Sequence, residues 1–181
     1  MTKQDAITLD RIKTAHPAVR HDLKLIYQKI VSALSGSAMV RFTRVLSSFD
    51  AQAELYAQGR TAPGKKVTNA PAGLSMHNYG LAVDIVLVVD KDGNGSCESA
   101  SWDTLTDFDK DGISDWMEVV RIFKAHGWEW GGDWNGFKDM PHFQKSFGLK
   151  PSDLLAMHRA GQVDEDGYVR PRSRMELNPC L

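Results

Sequence analysis

Residues 81–89, LAVDIVLVV, are apolar at every position except Asp84. A near-continuous apolar run of this length reads as a strand buried on both faces. A carboxylate inside it is costly unless it is paired. The fold must therefore bring Asp84 a proton, an arginine or a metal ion. His77 lies seven positions upstream, in SMHNYGLAVD, and His142 lies far downstream, in DMPHFQ. A divalent metal held by His77, Asp84 and His142 would resolve the burial and give the chain a chemistry.

With 181 residues, 42% of them hydrophobic, the chain suits one globular domain with a real core. We expect residues 1–150 to form the catalytic unit and 151–181 to add a helix and an irregular tail to the same domain. The net charge of −1 argues against a nucleic-acid binder built on a basic surface. No apolar run approaches the ~18 residues of a membrane span. The N-terminus, MTKQDAITLDRIKTAHP, has no apolar stretch of the secretory kind, which points to a chain made in the cytoplasm. Cys97 and Cys180 are too few for a disulfide scaffold and form no zinc-type pair; a bridge fastening the tail is the alternative to two separate thiols.

In chain order, residues 3–15 predict a short amphipathic helix. Pro17 opens a second one, in which Val19, Leu23, Ile26, Ile30 and Leu34 form one apolar stripe and Gly36 is the stop. Residues 38–46 alternate as a strand. Ser47 or Ser48 caps a helix running to about Gln58. Residues 60–75, rich in Pro, Gly and Asn, form a long loop leading into the opening stretch. Residues 115–127 predict a helix with Trp116, Val119, Val120 and Phe123 on its apolar face. Residues 128–148, with three tryptophans in seven positions, suggest a strand, a turn and a platform. A short strand follows at 141–144, and a last helix at 151–161.

Two acidic segments stand apart. DFDKDGISDWME (107–118) places Asp107, Asp109, Asp111, Gly112, Asp115 and Glu118 at positions 1, 3, 5, 6, 9 and 12 of the twelve-residue calcium loop. In DKDGNG (90–95) the twelfth position falls on Ser101, so the bidentate carboxylate is missing. A strand, not a helix, precedes it, which argues against a paired EF-hand. The plainer reading of 107–118 is a polar turn before a helix, with Asp115 favoured by the helix dipole.

Catalytic zinc commonly takes three protein ligands from His, Asp and Glu and leaves a position for water. Bound water then ionises near neutral pH, and a nearby carboxylate can carry its proton. Asp139, three residues before His142, is placed for that role; Glu129 is the other candidate. His16, His21, His126 and His158 fall at helix starts, faces or ends and read as structural.

The motifs YAQGRT (56–61), KKVTNA (65–70), SMHNYGLAVD (75–84), DWMEVV (115–120) and GWEWGGDWNGFKDMPHFQ (127–144) together resemble one family. It is the zinc peptidases of bacterial cell walls, which include D-alanyl-D-alanine carboxypeptidases and the L-alanyl-D-glutamate endopeptidases of phage endolysins. The resemblance implies an α+β fold of the D-Ala-D-Ala metallopeptidase or Hedgehog-like type, a small antiparallel sheet around a central zinc, flanked by helices. Carried over by position, His77, Asp84 and His142 are zinc ligands, Asp139 the general base, and Ser75 a neighbour of metal or substrate. The implied reaction is hydrolysis of the peptidoglycan stem peptide. One position departs: relatives carry a substrate-binding arginine where this chain has Ser47; Arg44 and Arg41 lie nearby in sequence, and along a strand Arg44 can point toward the site or away from it.

The endopeptidase reading is favoured because a small chain lacking a signal, an anchor and a wall-binding module fits endolysins of phages with Gram-negative hosts. Such a protein is a monomer that waits in the cytoplasm until a holin-type partner opens the inner membrane, then acts on the periplasmic wall and lyses the cell. The alternatives are a D-alanyl-D-alanine carboxypeptidase and, from another class, a calcium-binding structural or wall-binding module with a degenerate His/Asp set. Calcium could also regulate the enzyme by ordering residues 107–118.

Overall fold

The computed structural model describes residues 4–35, 37–94 and 96–170. Gly36, Cys180 and the rest of the tail beyond residue 170 lie outside the described residues, and with them the stop at Gly36 and the Cys97–Cys180 bridge. Cys97 itself is a half-buried free thiol.

Among the described residues, five α-helices flank one five-stranded sheet. Helix α1 spans Ala6–Lys13, capped by Asp5, whose side chain accepts from the Thr8 N–H. Helix α2 spans Pro17–Ala33; proline opens it as expected, and Val19, Leu23, Ile26, Tyr27 and Ile30 are its buried stripe. Leu34 is buried too, but as the cap residue rather than within the helix. Strand β1 is Ala38–Arg44 and helix α3 is Phe49–Ala57, with Ser48 rather than Ser47 accepting from the Ala51 N–H. Strand β2, Ala82–Val89, is the centre of the sheet. It pairs antiparallel with β1 along one edge. Along its other edge, Ala82–Asp84 pair with β5 (His142–Gln144), and Leu87–Val89 with β3 (Ser99–Ser101). Strand β4, Glu129–Trp130, continues beyond β5. Helices α4 (Asp115–Ala125) and α5 (Pro151–Arg159) complete the fold.

All of β2 except Asp84 is buried, the pattern expected of a strand covered on both faces. Phe42, Phe123 and Phe143 meet in the core, with Phe123 and Phe143 stacked at 4.2 Å between centroids. Trp116, Val119, Val120 and Phe123 bury the inner face of α4.

One element lies outside the expectations, and one expectation needs correction. Strand β3 lies in a segment with no alternating apolar pattern; it is held by the ladder to β2, not by its own side chains. The segment after α5 is not wholly irregular. Val163 and Val169 pair across a turn, Val169 is 1% exposed, and its carbonyl oxygen accepts from His16 Nε2 at 2.6 Å. The division at residue 150 is therefore a seam between elements that share one core.

Candidate active site

The opening problem, a carboxylate in an apolar strand, is answered by two histidines. Asp84 stands opposite His142 across the β2–β5 ladder. Its Oδ1 lies 3.0 Å from His142 Nδ1 and 3.1 Å from His77 Nε2. One donor atom from each of the three residues falls within 4.8 Å of the others. Both rings are almost fully buried, while the Asp84 side chain keeps 23% exposure, so the group opens to one side.

His77 is delivered by a 3-10 turn, Met76–Tyr79, that the sequence reading took as part of the loop. Ser75 caps that turn, its Oγ accepting from the His77 N–H. Asn78 ties it down, donating to the carbonyls of Ser47 and Ser48. Gly80 ends it at φ +66, where a Cβ would come within 2.7 Å of the His16 backbone nitrogen. Glycine is what lets the chain turn from His77 into β2.

The far side of each ring is held. His77 Nδ1 lies 2.9 Å from the Val45 carbonyl oxygen, which can only accept, so a proton sits on Nδ1 and Nε2 is the atom turned toward Asp84. His142 Nε2 lies 3.1 Å from Gln144 Oε1, and Gln144 Nε2 donates to Glu129. That arrangement turns His142 Nδ1 inward. With no cation between them, the inward nitrogens hold Asp84 as proton donors: burial pushes its carboxyl up, but the contacts with His142 and His77 outweigh this and hold it well below the usual range. With a cation in place of those inward protons, two neutral imidazoles and an ionised carboxylate, their outer atoms already oriented, are the donor set that suits zinc.

Asp139 lines the same cleft, of about 450 Å³. Its backbone is pinned by Gly131: the Asp139 N–H donates to the Gly131 carbonyl, and a Cβ on Gly131 would meet the Asp139 oxygen at 2.3 Å. Burial, then the charge of Asp84, raises the Asp139 carboxyl above its ordinary value. It is a half-buried acid beside the ligand group and not one of its members. Glu129, the other candidate base, is excluded by position; it accepts from Gln144 and Ser146 behind His142.

The structure also shows which way Arg44 points. Strand β1 carries a bulge between Phe42 and Arg44, which breaks the alternation that would have sent Arg44 inward with Val40 and Phe42. Arg44 instead lines the cleft. Its Nε donates to Ser47 Oγ at 2.7 Å, and its outer nitrogen donates to Gln52 Oε1 at 2.7 Å. Ser47 thus fixes Arg44 at the edge of the cleft. Arg41 is committed elsewhere, to Asp5. Gln52, 1% exposed, joins Arg44 to the 60–75 loop through the Ala70 carbonyl. Nothing in the sequence marked Gln52. Gln144 was visible only as the residue two along from His142 on a strand, hence on the same face.

Trp134 approaches the His142 ring at 5.1 Å, the platform expected of the tryptophan-rich segment. Val67, Trp102 and Phe137 are exposed apolar residues on the cleft. Asp107, Asp109, Asp111, Asp115 and Glu118 form a separate group, in the loop before α4 and its first turn.

Comparison with known proteins shows the family to which the chain belongs. A family described as D-alanyl-D-alanine carboxypeptidase matches residues 68–145, the stretch that contains His77, Asp84, Asp139 and His142. The peptidoglycan L-alanyl-D-glutamate endopeptidase CwlK of Bacillus subtilis (strain 168) is 46% identical over 129 residues, covering 71% of this chain and 72% of CwlK. The crystal structure of the Serratia marcescens L-Ala D-Glu endopeptidase ChiX matches at 24% identity with a TM-score of 0.49, covering 78% of this chain and 88% of that one. The chain belongs to the D-alanyl-D-alanine carboxypeptidase family of zinc metallopeptidases.

Proposed function

We propose that the protein is a zinc-dependent endopeptidase that cuts the peptidoglycan stem between L-alanine and D-glutamate. The observation that carries this reading is the convergence of His77, Asp84 and His142, each ring oriented from behind, beside the unpaired acid Asp139. The named activity of CwlK supports the choice of bond.

Zinc held by His77, Asp84 and His142 would supply a Lewis acid and a water that ionises near neutral pH. The chain does the rest. The Val45 carbonyl and Gln144 keep the two rings in the tautomers that present lone pairs inward. Asp139 takes the proton of the attacking water and returns it to the leaving amine; its raised proton affinity suits both halves of that task. Arg44, fixed by Ser47 and Gln52, offers a cation to a substrate carboxylate or to the oxyanion that develops on the scissile carbonyl. Ser75 acts by capping the turn that carries His77. Trp102 and Phe137 give an extended stem peptide an apolar surface to lie on.

Digestion of purified peptidoglycan tests the proposal. New amino termini on D-glutamate are expected; free D-alanine instead would make the protein a carboxypeptidase, and no product would sink the enzyme reading.

The lytic setting belongs to the same proposal and rests on the endolysin-like motifs. The protein acts as a monomer, reaches the periplasmic wall once a holin-type partner opens the membrane, and lyses the cell. No described helix is long and apolar enough to cross a membrane. Induced expression in a Gram-negative cell should lyse it only when a membrane-permeabilising partner is co-expressed; lysis without one would refute this route.

A further inference from the structure

The loop before α4 gathers five carboxylates. One oxygen each from Asp107, Asp109 and Asp115 lies within 4.8 Å of the others, and the same holds for Asp109, Asp111 and Glu118, so Asp109 joins two overlapping groups. Among the described residues, none of the five is in an ion pair with a lysine or arginine. Crowded acids on a surface are common and mean little by themselves. Here the group reaches into the core. Asp115 is 0% exposed; its Oδ1 accepts from the Phe108 N–H, and its Oδ2 has no partner. Glu118 Oε2 is likewise buried without a partner. A helix dipole favours acids in the first turn of α4, but it supplies no hydrogen bond to a buried oxygen.

We propose that residues 107–118 form a calcium site, with Asp107, Asp109, Asp111, Asp115 and Glu118 as its side-chain ligands. The donors are all oxygen, which selects a hard cation over zinc or copper. Five carboxylates, with Glu118 in the twelfth position able to bind through both oxygens, suit the larger and more flexible shell of calcium better than the strict octahedron of magnesium. The site is half of a helix–loop–helix unit: α4 leaves the loop, while strand β3 precedes it. Asp109 Oδ2 also accepts from the Ser35 N–H and hydroxyl, just past α2. The bound ion would therefore clamp the start of α4 to the end of α2, beside the sheet that carries Asp84. Its role is to hold the fold around the active site, not to take part in hydrolysis. The Asp90, Asp92 and Glu98 group is the natural internal control, because it gathers three acids but carries no orphaned buried oxygen.

The test titrates calcium chloride into the zinc-loaded full chain in calcium-free buffer, followed by calorimetry and by thermal unfolding. The wild type should take up a saturable equivalent, and its midpoint should rise by roughly 5–10 °C at a hundredfold excess over Kd. Glu118→Gln and Asp109→Asn should lose that equivalent and most of the shift while keeping their zinc and their circular dichroism. Asp92→Asn should retain both equivalent and shift. The proposal is overturned if the wild type binds no calcium, if magnesium chloride matches calcium, or if Asp92→Asn abolishes the equivalent while Glu118→Gln leaves it.

Discussion

Asp84 and Asp115 are both aspartates set into the core, and their affinities for a proton move in opposite directions. Burial disfavours the charge on each. At Asp84 two histidines outweigh burial and the carboxyl stays ionised. At Asp115 burial is reinforced by Asp109 and Asp107, and the carboxyl is raised; Glu118 is pushed up to about 7 by burial first and then by Asp111, Asp109 and Asp115. The first site comes with its counter-charge and its hydrogen bonds built from protein groups. The second has hydrogen bonds, from the Phe108 N–H to Asp115 and from Ser35 to Asp109, but among the described residues no cationic side chain pairs with it. One is organised by protein groups before a metal arrives, whereas the other is a cluster of like charges whose repulsion a proton or a bound cation would relieve.

If that contrast is right, damage to the first site should remove chemistry, and damage to the second should change stability. The largest effect belongs to His77→Ala, Asp84→Ala and His142→Ala. Each should lower muropeptide release by on the order of a thousandfold or more, with zinc lost from the purified protein. Next is Asp139→Asn, for which kcat should fall by roughly 10²–10⁴ while zinc content is unchanged. Loss of zinc with that variant would mean that Asp139 is a ligand. Gly131→Ala should displace Asp139 and lower kcat by about 10²-fold, again with zinc retained. Gln144→Ala removes the acceptor behind His142 and should weaken zinc binding by about 10–100-fold in a chelator competition. The smallest effect is a pH slope in calcium-free protein. Glu118 holds its proton more tightly folded than unfolded. Its contribution to stability is therefore full below its ordinary value of 4.5 and is lost as pH rises through about 7. The thermal midpoint of Glu118→Gln should lack that part of the decline, and an unchanged slope would contradict the account.

The sequence disclosed what depends on residue type and period. The apolar run around Asp84, the helical stripe after Pro17, and the spacing of His77, Asp84, Asp139 and His142 are local patterns that the fold kept. Features set by pairing were hidden. Strand β3 exists because β2 has a free edge to offer. The direction of Arg44 depends on a bulge, and simple alternation along β1 would have buried it. The support behind the ligands, Val45 through its backbone and Gln144 and Glu129 through β4–β5 pairing, becomes adjacent only when strands align. By residue type alone Ser47 was only the place where an expected positive charge is absent; in the structure its hydroxyl accepts from Arg44.

Anomalous scattering at the zinc edge from crystals of the full chain tests the central claim most directly. The account predicts one strong peak bounded by His77 Nε2, Asp84 and His142 Nδ1, with Asp139 outside the coordination shell. A peak at the acidic loop alone, or none at the histidines, would contradict it.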